Sequence, residues 1–352
     1  MNLYMDETRL KQILEHFPQL SILVVGDFFL DNYFILEREL SEISLETGLE
    51  AYQVVGWRKS PGAAGTITAN LRALDVNVLA LGITGADGNG YELREKLVEI
   101  KVDIHALIKC PGRFTPTYNK PMMRETDGWQ HELNRMDIKN RSPLPADVEH
   151  DIIKHMHEML PEVQGVLIAD QVQERNCGVI TDKVREEFQK LALANPKKFF
   201  IADSRGRAGL FQEVILKTNL SEAMNAAGVA AQSSVVDPKE IYACCQELYK
   251  RTQRPIIITR GERGCILFNN PESEMVEIPA LPIEGPIDIV GAGDSFLTGM
   301  GTSLCAGANF EEAALIGNLA ASIVIQQIGT TGTASQAQII ERFREFGAIS
   351  IS

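Results

Sequence analysis

The run Asp288-Ile-Val-Gly291-Ala292-Gly293-Asp294 has the residue types and spacing best suited to chemistry. Its two glycines and one alanine leave consecutive backbone N–H groups unshielded by side chains. The residues that follow, Leu297 to Leu304, are small or apolar and read as a helix. A helix starting at about Asp294 adds its positive end to those amides. Together they make an anion hole able to take the charge that grows on a transferring phosphoryl group. A carboxylate at the mouth of that hole, Asp294, can accept the proton of an attacking hydroxyl. Two other readings of these residues stand beside this one. The first is a glycine turn closed by an aspartate cap. The second is the loop of a dinucleotide-binding unit, with Glu311 placed 20 residues after Gly291. The second is disfavoured, because the third glycine is missing and residues 283–290 make a poor buried strand. No G-x-x-x-x-G-K-[ST] run occurs, which excludes a P-loop kinase.

Such a loop needs a rigid frame. Ser21–Gly26, Val78–Gly82, Gly165–Asp170, Lys198–Asp203 and Pro255–Thr259 are short runs rich in β-branched residues and read as buried parallel strands. Helical patterns over 66–74, 90–99, 145–160 and 181–194 alternate with them, which predicts an α/β sheet wound from βαβ units. Residues 33–59 and 113–134 break the alternation. They read either as strands of a small accessory sheet covering a site or as irregular surface loops. No repeat or linker divides the chain. The expectation is one domain over 1–340 with those two lid segments inserted, and a tail over 341–352.

Composition limits the partners. The net charge of −13 over 352 residues argues against nucleic acid and anionic membranes. No apolar run approaches the ~20 residues that span a bilayer, and the charged start of the chain is not a secretory signal. The six cysteines form no C-x-x-C pair and read as reduced, buried residues of a cytoplasmic protein.

The Asp288–Asp294 run resembles the D-x-x-G-A-G-D signature of the ribokinase (PfkB) family of carbohydrate kinases, and further landmarks in the same order extend the likeness over most of the chain. The resemblance implies a three-layer α/β/α fold with a mostly parallel central sheet and a small β-sheet lid. It implies ATP and magnesium, with Asp294 as general base and Gly291, Ala292 and Gly293 around the transferring phosphoryl group. Asn219 and Glu222 match the family's N-x-x-E motif, with Glu222 near magnesium through water. The same two residues also fit a helix cap. Thr259, Gly261 and Gly264 resemble the nucleotide loop T-x-G-x-x-G, which fits a tight turn between strands as well. Asn318 lies on a small-residue helix like that on the family's adenine side, where close helix packing is an equal reading. Ile328 to Thr330 matches the closing glycine segment. Asp288 and nearby carbonyls are the family's place for a monovalent cation such as potassium.

On the acceptor side the resemblance implies sugar contacts from Asp27 and Asp31, at the end of the first strand. It implies a second set from Gly62, Ala63 and Thr66, where Thr66 stands in place of the usual Asn. Gly82 to Gly90 resembles a further family turn, read as structural. The closest likeness within the family is to the heptose 7-phosphate kinase part of bacterial heptose-phosphate kinase/adenylyltransferases. Gly26 to Tyr33, Pro116 to Lys120 and Glu132 to Asp137 carry it. Lys120, Arg124 and Arg135 would then face a phosphosugar, unless they are solvated lid residues. The chain stops soon after the signature, so no nucleotidyltransferase domain is expected on it. The family also tends to pair through its lids, which implies a homodimer. Ribose, fructose phosphate or a nucleoside as acceptor, and a catalytically silent nucleotide- or sugar-binding regulator, remain alternatives.

Overall fold

The computed structural model describes residues 5–229 and 236–351. A sheet of nine strands forms its centre. In spatial order they are Val276–Ile278, Cys265–Phe268, Ile256–Thr259, Ile215–Asn219, Phe199–Ser204, Gly165–Asp170, Ser21–Gly26, Asn77–Gly85 and Leu107–Cys110. All neighbours pair parallel except at the edge carrying Cys265–Phe268 and Val276–Ile278, which pair antiparallel.

Period-two alternation in the strands divides the core into two layers. Ile22 and Val24 face one apolar cluster, with Leu71, Phe296, Leu297 and Leu319 from helices on that side. Leu23 and Val25 face the other, with Ile152, Phe188, Cys244 and Leu248. Both faces of the sheet are therefore covered, as a parallel sheet requires, and four of the six free cysteines, Cys110, Cys244, Cys245 and Cys265, are buried in these layers.

The predicted strands Ser21–Gly26 and Gly165–Asp170 and the four predicted helices are present, with shifts of a few residues at some ends. The segment from residue 341, expected as a tail, continues helix Gln336–Ile351 instead. Ile339 and Phe343 of that helix are buried in the core.

The segments that break the alternation build a second sheet. Met136–Ile138, Thr117–Arg124, Phe28–Glu37 and Val54–Ala63 lie side by side, with Gln130–Glu132 against Thr117–Arg124. This is the accessory sheet, wider than the segments 33–59 and 113–134 suggested. It takes in Asp31 and Gly62 at one end and Asp137 at the other. Phe28–Glu37 and Thr117–Arg124 pair parallel, and Phe28–Glu37 and Val54–Ala63 antiparallel. Register places Asp31 between Ser60 and Tyr118, and Tyr33 between Arg58 and Lys120. Directly paired residues share a face, so one side of the lid carries Asp31, Tyr33, Arg58, Tyr118 and Lys120.

Strand Ser21–Gly26 is joined to lid strand Phe28–Glu37 by Asp27 alone, and lid strand Val54–Ala63 runs straight into helix Ala64–Ala73. The N–H of Ala64 donates to the Asp27 carbonyl at 3.0 Å, tying the two crossings together.

Candidate active site

Helix Ala292–Cys305 begins at Ala292, two residues before the expected start, because Gly291 adopts the left-handed conformation at φ 83° and turns the chain into the helix. A side chain there is strained in its own right. The N–H of Ala292 donates back to Ile289 at 3.2 Å, and that of Ser295 makes the first helical bond, to Gly291 at 2.9 Å. Of the three amides expected to be free, two are: those of Gly293 and Asp294 have no partner among the described residues. They point from a helix N-terminus, the arrangement that binds phosphate.

Asp294 lies half-buried beside them. Burial and the nearby Asp203 carboxylate push its pKa up to about 7, against the pull of Lys217 and Arg205. A carboxylate so placed titrates in the range useful to a general base.

The residue that sequence reasoning missed here is Lys217. It lies in strand Ile215–Asn219, is 4% exposed, and its Nζ is 2.6 Å from Asp203 Oδ2. A Cβ built on Gly293 would come within 2.8 Å of that Nζ, so the ammonium touches the backbone of the anion hole. Burial opposes its charge, but Asp203, Asp294 and Glu222 hold the pKa above the usual lysine value. A signal was present. A lysine inside the apolar run Val214-Ile-Leu-Lys217 must be paired if it is buried, and Asp203 closes a predicted neighbouring strand.

Asn219 and Glu222 form the cap that the alternative reading allowed. Asn219 Oδ1 accepts from the N–H of Glu222 at 2.9 Å, and Glu222 Oε2 accepts from the N–H of Asn219 at 3.1 Å. The cap does not remove them from the site. Burial and Asp203 raise the pKa of Glu222, which sits within the field of Lys217. Asp203, Asp294 and Glu222 thus surround one lysine, an excess of negative charge that a divalent cation would offset. No group of three metal-ligating side chains converges among the described residues. Such an ion would be held largely by phosphate oxygens and water, in keeping with magnesium's reluctance to dehydrate.

Thr259 ends strand Ile256–Thr259, and Gly261 and Gly264 sit in the hairpin to Cys265–Phe268. Gly264 has φ 75°, and a Cβ on it would lie 2.1 Å from the Ile278 carbonyl, so only glycine fits. Asn318 shows the packing role that was the equal reading of its helix. Its amide nitrogen donates to the carbonyls of Ile278 and Pro279 at 3.3 and 3.0 Å and joins that edge of the sheet to helix Phe310–Val324. Asp288 accepts from the N–H groups of Val290 at 3.1 Å and Gly329 at 3.2 Å, which ties the signature loop to the closing glycine segment.

On the acceptor side, Asp31 is buried. Lys120 Nζ lies 3.2 Å from its Oδ2 and 3.0 Å from the Tyr33 hydroxyl, while Oδ1 is buried without a partner. Burial raises the Asp31 pKa against the pull of Lys120. Gly62 is packed on this carboxylate: a Cβ there would approach it to 3.0 Å. Ala63 carries a positive φ of 55° at the head of the next helix. Thr66 donates its hydroxyl to the Pro61 carbonyl at 3.4 Å, and its methyl is 3.8 Å from where Gly291 would bear a Cβ. The turn therefore sits directly against the signature loop.

Three side chains expected on the acceptor side make contacts within the protein. The Asp27 carboxylate, expected to meet a hydroxyl, accepts backbone N–H groups from Gln171, Val172 and Val179 at 2.9, 2.8 and 2.7 Å. It anchors the loop after strand Gly165–Asp170. Arg207 holds the same loop through Asp170 and the carbonyls of Val172 and Gln173. Arg135 makes a two-pronged pair with Asp137 at 2.7 and 3.0 Å and lies 4.1 Å over the Tyr118 ring. Arg124 pairs with Glu37 at the lid rim.

Residues 146–337 match the model of the pfkB family of carbohydrate kinases. The chain is similar to the Bifunctional protein HldE of Desulfatibacillum aliphaticivorans, 28% identical over 92% of this chain. The chain spans 63% of that protein's length. It is also similar in fold to a ribokinase from Arabidopsis thaliana solved with ribose and ATP, with a TM-score of 0.66 and 17% identity over 92% of this chain and 99% of that one. Phosphofructokinase-2 from Escherichia coli, solved with potassium, gives 0.67 and 16% over 93% and 99%. Ribokinase-like architecture, read from the signature loop, is therefore what the chain has. No helix among the described residues is long and apolar enough to cross a membrane.

Proposed function

The chain belongs to the pfkB family of carbohydrate kinases, and from that premise we propose that it transfers the γ-phosphate of ATP to a hydroxyl of a sugar phosphate, with Asp294 as general base. The observation that carries the reading is one constellation. A carboxylate with a pKa near 7 stands beside the open amides of Gly293 and Asp294 and the buried ammonium of Lys217.

In this reading the acceptor lies under the lid, with a hydroxyl on the unpartnered Oδ1 of Asp31 and the Gly62–Thr66 turn shaping its floor. Asp294 takes the proton of the attacking hydroxyl. The two amides and Lys217 steady the charge on the transferring group, where fixed dipoles and a fixed cation need no reorganisation. ATP extends from there across Asn219 and the Thr259–Gly264 hairpin toward the Asn318 helix. Magnesium, held near Glu222 through water, would supply charge neutralisation on the phosphates, and Asp288 with its loop carbonyls would hold a monovalent cation. Closure of the lid would exclude water and limit wasteful hydrolysis.

The finer assignment is a heptose 7-phosphate 1-kinase-like activity in the cytoplasm. The likeness to a protein named HldE supports it. A homodimer through the lid fits the apolar residues Ile43, Leu45, Leu49 and Trp57, which stand exposed on the lid and its 42–51 hairpin.

The test is Asp294→Asn. It should keep the fold and ATP binding while lowering kcat by ~10²–10⁴. Near-normal turnover in that variant removes Asp294 from the chemistry.

A further inference from the structure

We infer that the acceptor's own phosphate is held by Arg205 and Lys139, in a cavity at the lid–sheet junction, and not by Lys120 and Arg135. The inference rests on the kinase reading for the identity of the site and goes beyond it in saying which groups select a phosphorylated acceptor.

The order of the central sheet reverses between Ser21–Gly26 and Gly165–Asp170: the chain first adds strands on one side of Ser21–Gly26, then on the other. Ligands of open α/β sheets collect at the carboxyl ends of strands at such a switch. A cavity lies there, between the end of the first strand, the loop after Gly165–Asp170 and the lid at Tyr118.

Four charged side chains line the cavity: Asp27, Lys139, Glu174 and Arg205. Asp27 is turned into its three loop amides. Arg205, which follows strand Phe199–Ser204, makes no ion pair among the described residues. Its positive charge acts on the Tyr118 hydroxyl across the cavity. Arg135 stacks on the same ring. Lys139 has only a distant contact, 3.9 Å from Asp137, and Asp137 is already bound by Arg135 at two points. Glu174 is the remaining acid of the lining and can accept from a hydroxyl of the same ligand.

The cations first expected to meet a phosphate are neutralised in place, Lys120 by Asp31 and Arg135 by Asp137. Two cations from separate layers therefore converge on one cavity of a chain whose net charge is −13. A planar guanidinium suits bidentate capture of a phosphate, with an ammonium opposite as a point charge.

The experiment compares wild type, Arg205→Met, Arg205→Lys and Lys139→Met. The acceptors are a hexose 6-phosphate, a heptose 7-phosphate and the matching free sugars. Wild type should prefer the phosphorylated acceptors. Arg205→Met should raise their KM by about tenfold or more and leave the KM for ATP unchanged, with Arg205→Lys between the two. Lys139→Met should act in the same direction. Calorimetry gives a readout independent of turnover: wild type should bind the phosphorylated acceptors more tightly than the free sugars, and Arg205→Met should lose that preference. Inorganic phosphate should compete with the acceptor in wild type but not in Arg205→Met.

Arg205 also lies in the field of Asp294. A fall in kcat with acceptor KM unchanged would assign it to the transferring group and overturn the inference. Equal binding of free and phosphorylated sugars by wild type would overturn it too. Failure of the kinase reading looks different: no acceptor would drive ATP consumption, while the calorimetric preference still decides the subsite.

Discussion

Asp27→Asn separates a scaffold role from a ligand role at the end of the first strand. The substitution keeps the shape and removes one acceptor. In the native chain Oδ1 accepts from Val179 at 2.7 Å, and Oδ2 from Val172 at 2.8 Å and Gln171 at 2.9 Å. The residue is 3% exposed, so water cannot replace a lost partner. With its amide oxygen in the Oδ2 position, asparagine keeps two bonds but turns its NH2 toward the N–H of Val179. A buried N–H and a buried NH2 then both lack an acceptor, at about 1–3 kcal/mol each. Taking the total as about 3 kcal/mol and an unfolding entropy of roughly 2.1 cal/mol/K per residue, a chain of 352 residues loses about 4 °C in Tm. Calorimetric or circular-dichroism melting measures this, with acceptor KM from steady-state kinetics alongside. The expected result is a lower Tm with only a modest change in KM. A Tm within about 1 °C of wild type, combined with a tenfold higher acceptor KM, would refute the reasoning and return the carboxylate to the substrate.

Further outcomes follow from the same geometry. The kcat/KM profile of the free enzyme should fall on the acid side with an apparent pKa near 7, since Asp294 must be ionised to act as base and its value is raised from 3.8 to about 7; a profile flat from pH 5 to 8, about the range that spans that value, would remove the assignment. Because folding disfavours the ionised form of this group, its cost is fully present above pH 7 and vanishes below the unfolded value of 3.8. Asp294→Asn should therefore melt higher than wild type at pH 8, with the gap closing as pH falls toward about 4. Lys217→Met should destabilise by about 3–5 kcal/mol, as it leaves the Asp203 charge buried and unpaired, and the added mutation Asp203→Asn should restore much of the stability without restoring kcat. Asp31→Asn should raise acceptor KM by about tenfold or more and spare the KM for ATP, if the unpartnered Oδ1 is the atom that takes the acceptor hydroxyl.

The frame was legible because buried parallel strands announce themselves. Ser21–Gly26 and Gly165–Asp170 are continuous apolar runs bounded by turns, and both occur with those limits. The signature loop was legible for a local reason: glycines followed by small and apolar residues suit the left-handed turn at Gly291 and the close-packed helix Ala292–Cys305 that it opens.

The lid was half legible. Its strands mix polar and apolar residues because one face meets a site, and such alternation resembles a loop until the partner strand is known. Asp31 gains its place only through pairing with Ser60 and Tyr118, which lie 29 and 87 residues further along the chain. Long-range partnership is also what the sequence leaves unseen at Asp27 and Asn318. Both have the chemistry of ligands, and nothing in their neighbours reveals that the amides of residues 171–179 and the carbonyls of residues 278–279 will take them up.

The single-residue joint between Gly26 and Phe28 bears on engineering. Lids are attractive cassettes for exchanging acceptor preference among relatives, and loops are the usual seams. Here no loop separates cassette from chassis: Phe28–Ala63 leaves and re-enters the frame within one hydrogen bond, Ala64 to Asp27. A graft spliced at the exposed 42–51 hairpin would divide the acceptor-facing strands between two parents. A graft spliced at Gly26 and Ala64 would move Phe28–Glu37 and Val54–Ala63 together, provided residues 117–124, which complete that face, and 171–179, which fold onto the aspartate at the seam, travel too.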